Sequence, residues 1–193
     1  TQLLGFFNEW YSVDGGTAVT TAATDATSDW ITALNNFQDS GVVVFASGNS
    51  NLESDVSLLG ALPEWFPDLA EAWLSVGLID FTGDSIADAT ESEFTLHGNK
   101  CGKAKEYCVV ADGFEVNGAG WIDGSHWYKA GGSGSSYSAP MISGGIALMA
   151  QAFPNHPPAQ LTDRLLASAN NEWFTPEGST TFTTHGNSIT HGY

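Results

Sequence analysis

At 193 residues the chain has room for one domain with a hydrophobic core and is too short to be expected to hold two. Apolar residues make up 42%, with seven Trp and eleven Phe to fill an interior, which excludes disorder of the whole chain. Only five Lys and Arg face 22 Asp and Glu, a formal net charge of −17. Nucleic acid and anionic membrane are therefore disfavoured as partners, and the acidic groups read as a solvating surface suited to a salty or extracellular setting.

In chain order, Leu3-Leu4-Gly5-Phe6-Phe7 reads as a buried strand with no cap or linker before it, so a cut edge is expected there. Residues 12–27, with Asp14-Gly15-Gly16 and many Thr and Ala, are rich in turn signals. Thr27 or Ser28 then caps a helix whose apolar face is Trp30, Ile31, Leu34 and Phe37, and Asp39-Ser40-Gly41 ends it. Residues 41–46 (GVVVFA) are almost wholly apolar and rich in β-branched side chains, as expected of a strand covered on both faces in a parallel sheet. Two more such runs follow at 73–81 (WLSVGLIDF) and 108–111 (CVVA), separated by loops rich in Gly and Asp. Helix followed by buried strand is one α/β unit, so the fold class is α/β, with a mostly parallel sheet sandwiched by helices.

Residues 136–153 are apolar nearly all round, and Gly144, Gly145 and Ala147 permit close approach. This predicts a helix buried in the centre of the domain, with Pro140 in its first turn, where its missing N–H does no harm. Pro157-Pro158 starts a second helix with Leu161, Leu165 and Leu166 on one side. From Glu172 onward the sequence has no clear period, and there is no internal repeat. No apolar stretch reaches the length needed to cross a bilayer and no charged-then-apolar leader opens the chain, so a secreted protein would already have lost its signal.

Cys101 and Cys108 lie in CGKAKEYC. Two cysteines are too few for a typical structural zinc site, and no histidine stands at the spacing that would complete one. The pair is read as a disulfide closing a short surface loop, against the alternative of two free thiols, which implies an oxidising compartment.

The segment richest in chemistry is Gly131-Gly132-Ser133-Gly134-Ser135-Ser136-Tyr137-Ser138-Ala139-Pro140. A Gly/Ser cluster is usually a flexible loop, but this one leads directly into an apolar helix, where unpaired N–H groups and the positive end of the helix dipole gather. A hydroxyl there serves as an N-cap, a phosphate contact or a nucleophile. The phosphate loop requires a Lys that is absent, and the G-x-S-x-G elbow does not occur around Ser136.

Gly134-Ser135-Ser136-Tyr137-Ser138-Ala139-Pro140 resembles the subtilase signature G-T-S-x-[AS]-x-P, with Ser135 in place of the usual Thr and the β-hydroxyl retained. Upstream, the run from Val42 to Ser47 followed by Gly48-Asn49 resembles that family's strand ending in A-[AS]-G-N. The resemblance implies the subtilisin-like fold, doubly wound, mostly parallel and incomplete at both ends, with residues 1–193 forming part of a serine-protease catalytic domain. It implies Ser136 as the nucleophile and Asn49 as an oxyanion-hole donor, partnered by the backbone N–H of Ser136. Ala46, Ser47 and Gly48 would form one wall of the specificity pocket. Trp10, within Glu9-Trp10-Tyr11, would lie along the substrate backbone, although Glu and Trp replace the small residues usual there. Residues 63–81 match the segment ending in a V-G-A-[IV]-D strand, and the Cys101–Cys108 loop looks like the C-G-x(5)-C of subtilases in bacterial autotransporters, which points to a secreted or cell-surface passenger domain.

A serine hydroxyl is unreactive near neutral pH until a base takes its proton. The family's D-[ST]-G and H-G-T-H motifs are absent, and His97, His126, His156, His185 and His191 all follow Asn49 in no matching context. The chain is therefore expected to be a fragment inactive by itself, with polypeptide as substrate and an N-terminal fragment of the same protease as partner. The alternative is a non-catalytic secreted binding or passenger module. No cofactor is required for the chemistry. Subtilases often bind structural calcium, but Asp84, Asp88 and Asp123 form no spacing that specifies a site, and no metal ligand is assigned.

Overall fold

WLSVGLIDF forms the central strand β2 (Trp73–Phe81), buried from Trp73 to Ile79. The computed structural model describes residues 21–50, 53–84, 91–122, 125–169 and 192; of 21–27, 91, 120–122 and 125–130 it describes the backbone alone. Strands β1 (Val43–Ala46) and β4 (Cys108–Asp112) pair with β2 in parallel. Ser75 and Val76 pair with both, so β1 and β4 lie on opposite edges of β2. Strand β3 (Phe94–Leu96) runs antiparallel to the end of β2, and because Ile79 pairs with both β3 and β4, β3 continues the edge that β1 begins.

Side chains alternate between the two faces of the sheet. Val43, Phe45 and Trp73 join Leu62, Leu69 and the partly buried Ile31 and Leu34 of α1 (Thr21–Phe37) in one cluster. Val42, Val44 and Leu74 pack on the other side with Ile142, Ile146 and Met149 of α2 (Ser135–Ala152) and Leu161, Leu165 and Leu166 of α3 (Pro158–Ser168). Helices thus cover both faces, giving the doubly wound, mostly parallel α/β arrangement expected.

Several boundaries differ from expectation. Helix α1 starts at Thr21, well before the expected cap at Thr27 or Ser28, because residues 21–27 of the stretch that looked like turns contain three alanines, the strongest helix former. Strand β1 begins at Val43, after Gly41, and β4 extends to Asp112. The short β3 and a separate hairpin, β5 (Val116–Ile122) with β6 (Ser125–Gly132), had no signal, since glycines interrupt the β-branched alternation of VNGAGWI. Gly131 and Gly132 belong to β6, so only the last part of the Gly/Ser cluster is loop. The strand expected at residues 3–7, the segment with Glu9, Trp10 and Tyr11, Asp88, Asp123, His185, His191 and the tail from Glu172 through residue 191 lie outside the described residues.

Helix α2 departs most. Of its residues Ser135, Ser138 and Ile146 are buried, whereas Met141 is 49% and Leu148 68% exposed, so it is not enclosed at the centre of this chain. An apolar composition all round records what a helix can bury, and these residues cover one side of it. Pro140 is the sixth residue of α2, in the second turn, where it withholds the N–H that would otherwise reach the Ser136 carbonyl.

Two features lock the α1 side. Gln38, 6% exposed, donates through Nε2 to the Asp68 carbonyl at 3.0 Å and accepts the Ala72 N–H at 2.7 Å, tying the end of α1 to the 3-10 turn Pro67–Ala72. The Cys101–Cys108 disulfide spans the 3-10 turn Gly102–Tyr107 with its Cα atoms 5.8 Å apart. Both cysteines are fully buried within the α1-side cluster. The bridge is therefore part of the core, correcting the expected surface staple.

Reduction, or Cys101→Ser with Cys108→Ser, is expected to lower the unfolding free energy by about 2–3 kcal/mol, as loop closure of this length implies; an unchanged denaturation midpoint would remove that role. The Tyr107 hydroxyl donates to Glu64 Oε1 at 3.0 Å, and burial, with the Glu64 carboxylate beside it, pushes the phenol well above its ordinary range. The folded state keeps a proton that the unfolded chain releases near pH ~10, so this stabilisation is complete below that pH and is lost as pH rises beyond it. Tyr107→Phe should flatten the alkaline fall in stability, and equal slopes in the two proteins would refute the assignment.

Candidate active site

The site is built where β1 ends and α2 begins. The Ser47 N–H donates to the Val76 carbonyl at 2.8 Å, carrying the ladder one residue past β1. Gly48 then adopts φ +112°, in the region that favours glycine, and a Cβ there would lie 2.6 Å from Asn99 Oδ1. Asn99, 7% exposed, holds this turn: its N–H donates to the Gly48 carbonyl at 3.1 Å, its Oδ1 accepts the Ser50 N–H at 2.9 Å, and its Nδ2 donates to the Asp55 carbonyl at 2.9 Å. Sequence reasoning missed Asn99, and no local pattern marks it.

The start of α2 is pinned to the end of β4. The Gly134 N–H donates to the Gly113 carbonyl at 3.0 Å and Ser138 Oγ donates to the Ala111 carbonyl at 3.0 Å. Gly134, at the N-cap, offers no side chain to the exposed helical N–H groups. Asn49 fills that role from 86 residues away: its Oδ1 accepts the Ser135 N–H at 2.7 Å and the Ser135 hydroxyl at 2.8 Å. The Gly48 N–H in turn donates to Ser135 Oγ at 3.2 Å.

This arrangement sets the amide orientation. A backbone N–H is satisfied only by an acceptor, so the oxygen of Asn49 must face Ser135 and its NH2 is left at the other end. A Cβ built on Gly134 would lie 3.1 Å from Ser136 Oγ and 3.5 Å from both Nδ2 and Oδ1 of Asn49, so the hydroxyl and the amide flank one small opening. Gly134 has ordinary extended backbone (φ 163°), and it is space, not φ, that calls for glycine there. Ser135 is 1% exposed while Ser136 is exposed, so the neighbouring serines divide into a buried positioning group and a displayed hydroxyl. The Ser136 N–H lies in the first helical turn, where the dipole is positive. The opening thus holds an exposed hydroxyl at the N-terminal turn of α2, where backbone N–H groups are free of intrahelical partners.

Ala46, Ser47 and Gly48 form the strand end leading to Asn49. Ser47 is wholly buried, and Ser57 binds this segment twice, its N–H donating to the Ser47 carbonyl at 2.6 Å and its Oγ to the Ala46 carbonyl at 3.3 Å. Among the described residues no hydrogen bond joins Ser136 Oγ to a histidine or carboxylate. The His97 ring stacks on Phe114 at 4.2 Å, with its Nε2 3.9 Å from Asp80 Oδ2. His156 stacks on Phe153 at 5.3 Å and accepts from Arg164 Nε at 3.0 Å. Asp84 is exposed, and among the described residues no group of three or more His, Cys, Asp and Glu is placed to hold a metal ion.

A family model described as the subtilase family matches residues 12–188. Serotype-specific antigen 1 of Mannheimia haemolytica is 27% identical over 132 residues, covering 66% of this chain and 13% of that protein. An extracellular serine protease of Serratia marcescens is 26% identical over 131 residues, covering 58% and 12%. The fold is similar to that of the prenylagaramide maturation protease PagA, with TM-score 0.54 and 18% identity over 94% of this chain and 62% of that one. It is also similar to sphericase, with TM-score 0.55 and 18% identity over 91% and 53%. The chain thus spans 13% and 12% of the two sequence relatives and little more than half of these structures.

Ser135→Ala removes a buried hydroxyl that joins Gly48 to Asn49, with an expected loss of about 1–2 kcal/mol of stability. It should also broaden or shift the Asn49 side-chain NH2 resonances, while Ser135→Thr retains both. An unshifted Asn49 signal in the alanine variant would show that the hydroxyl does not orient the amide.

Proposed function

Because the chain belongs to the subtilase family, we propose that it supplies the nucleophile and the oxyanion hole of a secreted serine endopeptidase whose base and orienting acid come from polypeptide outside these residues. Ser136 Oγ attacks the scissile carbonyl of a polypeptide as its proton passes to an imidazole base. The carbonyl oxygen becomes an oxyanion, received by Asn49 Nδ2 and the Ser136 N–H. Collapse breaks the C–N bond, the protonated base gives its proton to the leaving amine, and an acyl group remains on Ser136. Water then attacks that ester by the same proton route and frees the enzyme. Ala46 and Gly48 form one wall of the specificity pocket, backed by Ser47, which is wholly buried and itself presents no surface to substrate; Trp10, outside the described residues, is assigned to the substrate backbone by the family resemblance alone. No cofactor enters the chemistry, and the chain by itself turns over negligibly.

The observation that carries this reading is the orientation of Asn49: its oxygen is bound by Ser135, which leaves the NH2 at the other end of an amide that, like Ser136 Oγ, borders Gly134. The extracellular protease among the relatives, the disulfide and the acidic composition support secretion, as a free enzyme or as an autotransporter passenger. One observation favours a second reading, a non-catalytic module on the same scaffold: no described histidine is bonded to Ser136.

A fluorophosphonate probe decides between them when applied to the full-length protein. Labelling that disappears in Ser136→Ala supports the enzyme, and substrate binding without labelling supports the module. In the active protein Asn49→Ala is expected to lower kcat about 100- to 1,000-fold with little change in KM, a magnitude known from a subtilisin itself. A kcat within about threefold of wild type would exclude Asn49 from the oxyanion hole.

A further inference from the structure

A second concavity, of about 460 Å3, opens where residues 53–65 meet the loop closed by the Cys101–Cys108 disulfide. It shares no lining residue with the opening between Ser136 and Asn49. Val56, Ala61 and Ala104 give it a buried apolar floor, and Trp65 adds an aromatic wall. Three carboxylates, Glu53, Asp55 and Glu64, line the same space against one cation, Lys103. Two of the three are fixed. Asp55 Oδ1 accepts the Lys103 N–H at 2.8 Å while the Asp55 carbonyl accepts Asn99 Nδ2 at 2.9 Å, and Glu64 Oε1 accepts the Tyr107 hydroxyl at 3.0 Å. The Glu53 carbonyl accepts the Lys100 N–H at 3.3 Å, which ties down its backbone. Among the described residues the Glu53 carboxylate and the Lys103 ammonium have no hydrogen-bond or ion-pair partner. Like charges gathered on a fixed frame repel one another, and a cation entering between them relieves that repulsion. A frame bonded in advance also spares a ligand the cost of ordering it.

We propose that this cleft takes an arginine side chain of a polypeptide, as a binding site separate from the Ser136 opening. The proposal goes beyond the catalytic reading and does not depend on it. Charge complementarity selects a cation, since three carboxylates face one ammonium. A metal ion is not the occupant, because among the described residues no group of three or more His, Cys, Asp and Glu is placed to hold one. Trp65 favours guanidinium over ammonium: the planar group stacks on an aromatic ring while its fork meets carboxylate oxygens in pairs. The apolar floor receives the aliphatic stem, as long cationic side chains require. An arginine within a peptide fits better than the free amino acid, whose α-carboxylate would meet Glu53, Asp55 and Glu64.

The test titrates the full-length protein carrying Ser136→Ala with N-acetyl-argininamide and reads saturation transfer to the ligand by NMR. Binding with a Kd on the order of 1 mM or tighter is expected, as one side chain can supply. The neutral isostere N-acetyl-citrullinamide should bind at least about tenfold more weakly, and N-acetylarginine, with its free carboxylate, about threefold more weakly. Glu53→Gln should weaken argininamide binding about three- to tenfold and Lys103→Gln should tighten it about threefold. Asp163→Asn, on the exposed side of α3, changes the net charge as Glu53→Gln does and should leave binding unchanged. Glu53 and Lys103 are exposed, so circular dichroism should show both variants folded. No binding at ~10 mM, equal binding of the citrulline analogue, or a Lys103→Gln protein that binds no tighter overturns the site. Equal effects of Glu53→Gln and Asp163→Asn also overturn it, since the ligand would then follow the net charge and not this cleft. The catalytic reading fails separately. A full-length protein with Ser136 that resists fluorophosphonate while the cleft binds argininamide keeps this site and removes the enzyme, and labelling without argininamide binding does the reverse.

Discussion

The two hydrogen bonds that Ser135 donates to Asn49 Oδ1 join the end of β1 to the first turn of α2, and most of the site follows from that junction. A helix N-terminus leaves N–H groups without intrahelical partners, and a glycine at the N-cap cannot serve them. The sheet serves one of them instead, through a side chain on a turn that Gly48 opens and Asn99 holds. Satisfying the buried Ser135 leaves the next residue, Ser136, facing outward. It also commits the oxygen of Asn49, which leaves the NH2 at the other end of the amide. Orientation of the amide and display of the Ser136 hydroxyl therefore have a single cause.

The junction lies at the carboxyl ends of the parallel strands, where open α/β sheets form their crevices. Buried along most of its length, β2 is the reference for both sides: β1 delivers Asn49 along one edge, and β4 delivers the Ala111 carbonyl and Gly113 that receive α2 along the other. The α1 face is closed by Trp73, Gln38 and the buried disulfide. Among the described residues the opposite face is closed where Ile146 and Leu161 meet Leu74, with Val42, Val44, Ile142 and Met149 packed against them. One side of α2 thus helps form a core while Met141 and Leu148 meet solvent.

Legibility in the sequence followed the range of the interactions. Strand β2 was read at its observed bounds because a long apolar run with β-branched and aromatic residues carries its own signal. The start of α1 was missed because threonines among the alanines look like turn residues in isolation. The hairpin β5–β6 was missed because glycines interrupt its alternation, and one of them is set by a neighbour in α2: a Cβ at Gly132 would run into the Tyr137 ring. Asn99 carried no local signal, since its value lies in reaching Gly48, Ser50 and Asp55, distant along the chain. Ser136 and Asn49 were legible because the residue types such chemistry requires sit in two short patterns, each attached to a strand or helix with a strong period.

By itself the sequence determined the α/β class, the order of the main strands and helices, the family motifs and the pairing of its two cysteines as the candidate bridge. These depend on periodicity and on residue types within a few positions of one another. Only the tertiary structure decided that the bridge is buried, that Ser135 and not the N-cap residue receives Asn49, which end of the Asn49 amide faces Ser135, and that α2 is covered on one side. Those outcomes depend on which surfaces meet across long separations in the chain. A hydrogen bond between residues 49 and 135, or the lack of a neighbour at Gly144, leaves no trace in local pattern.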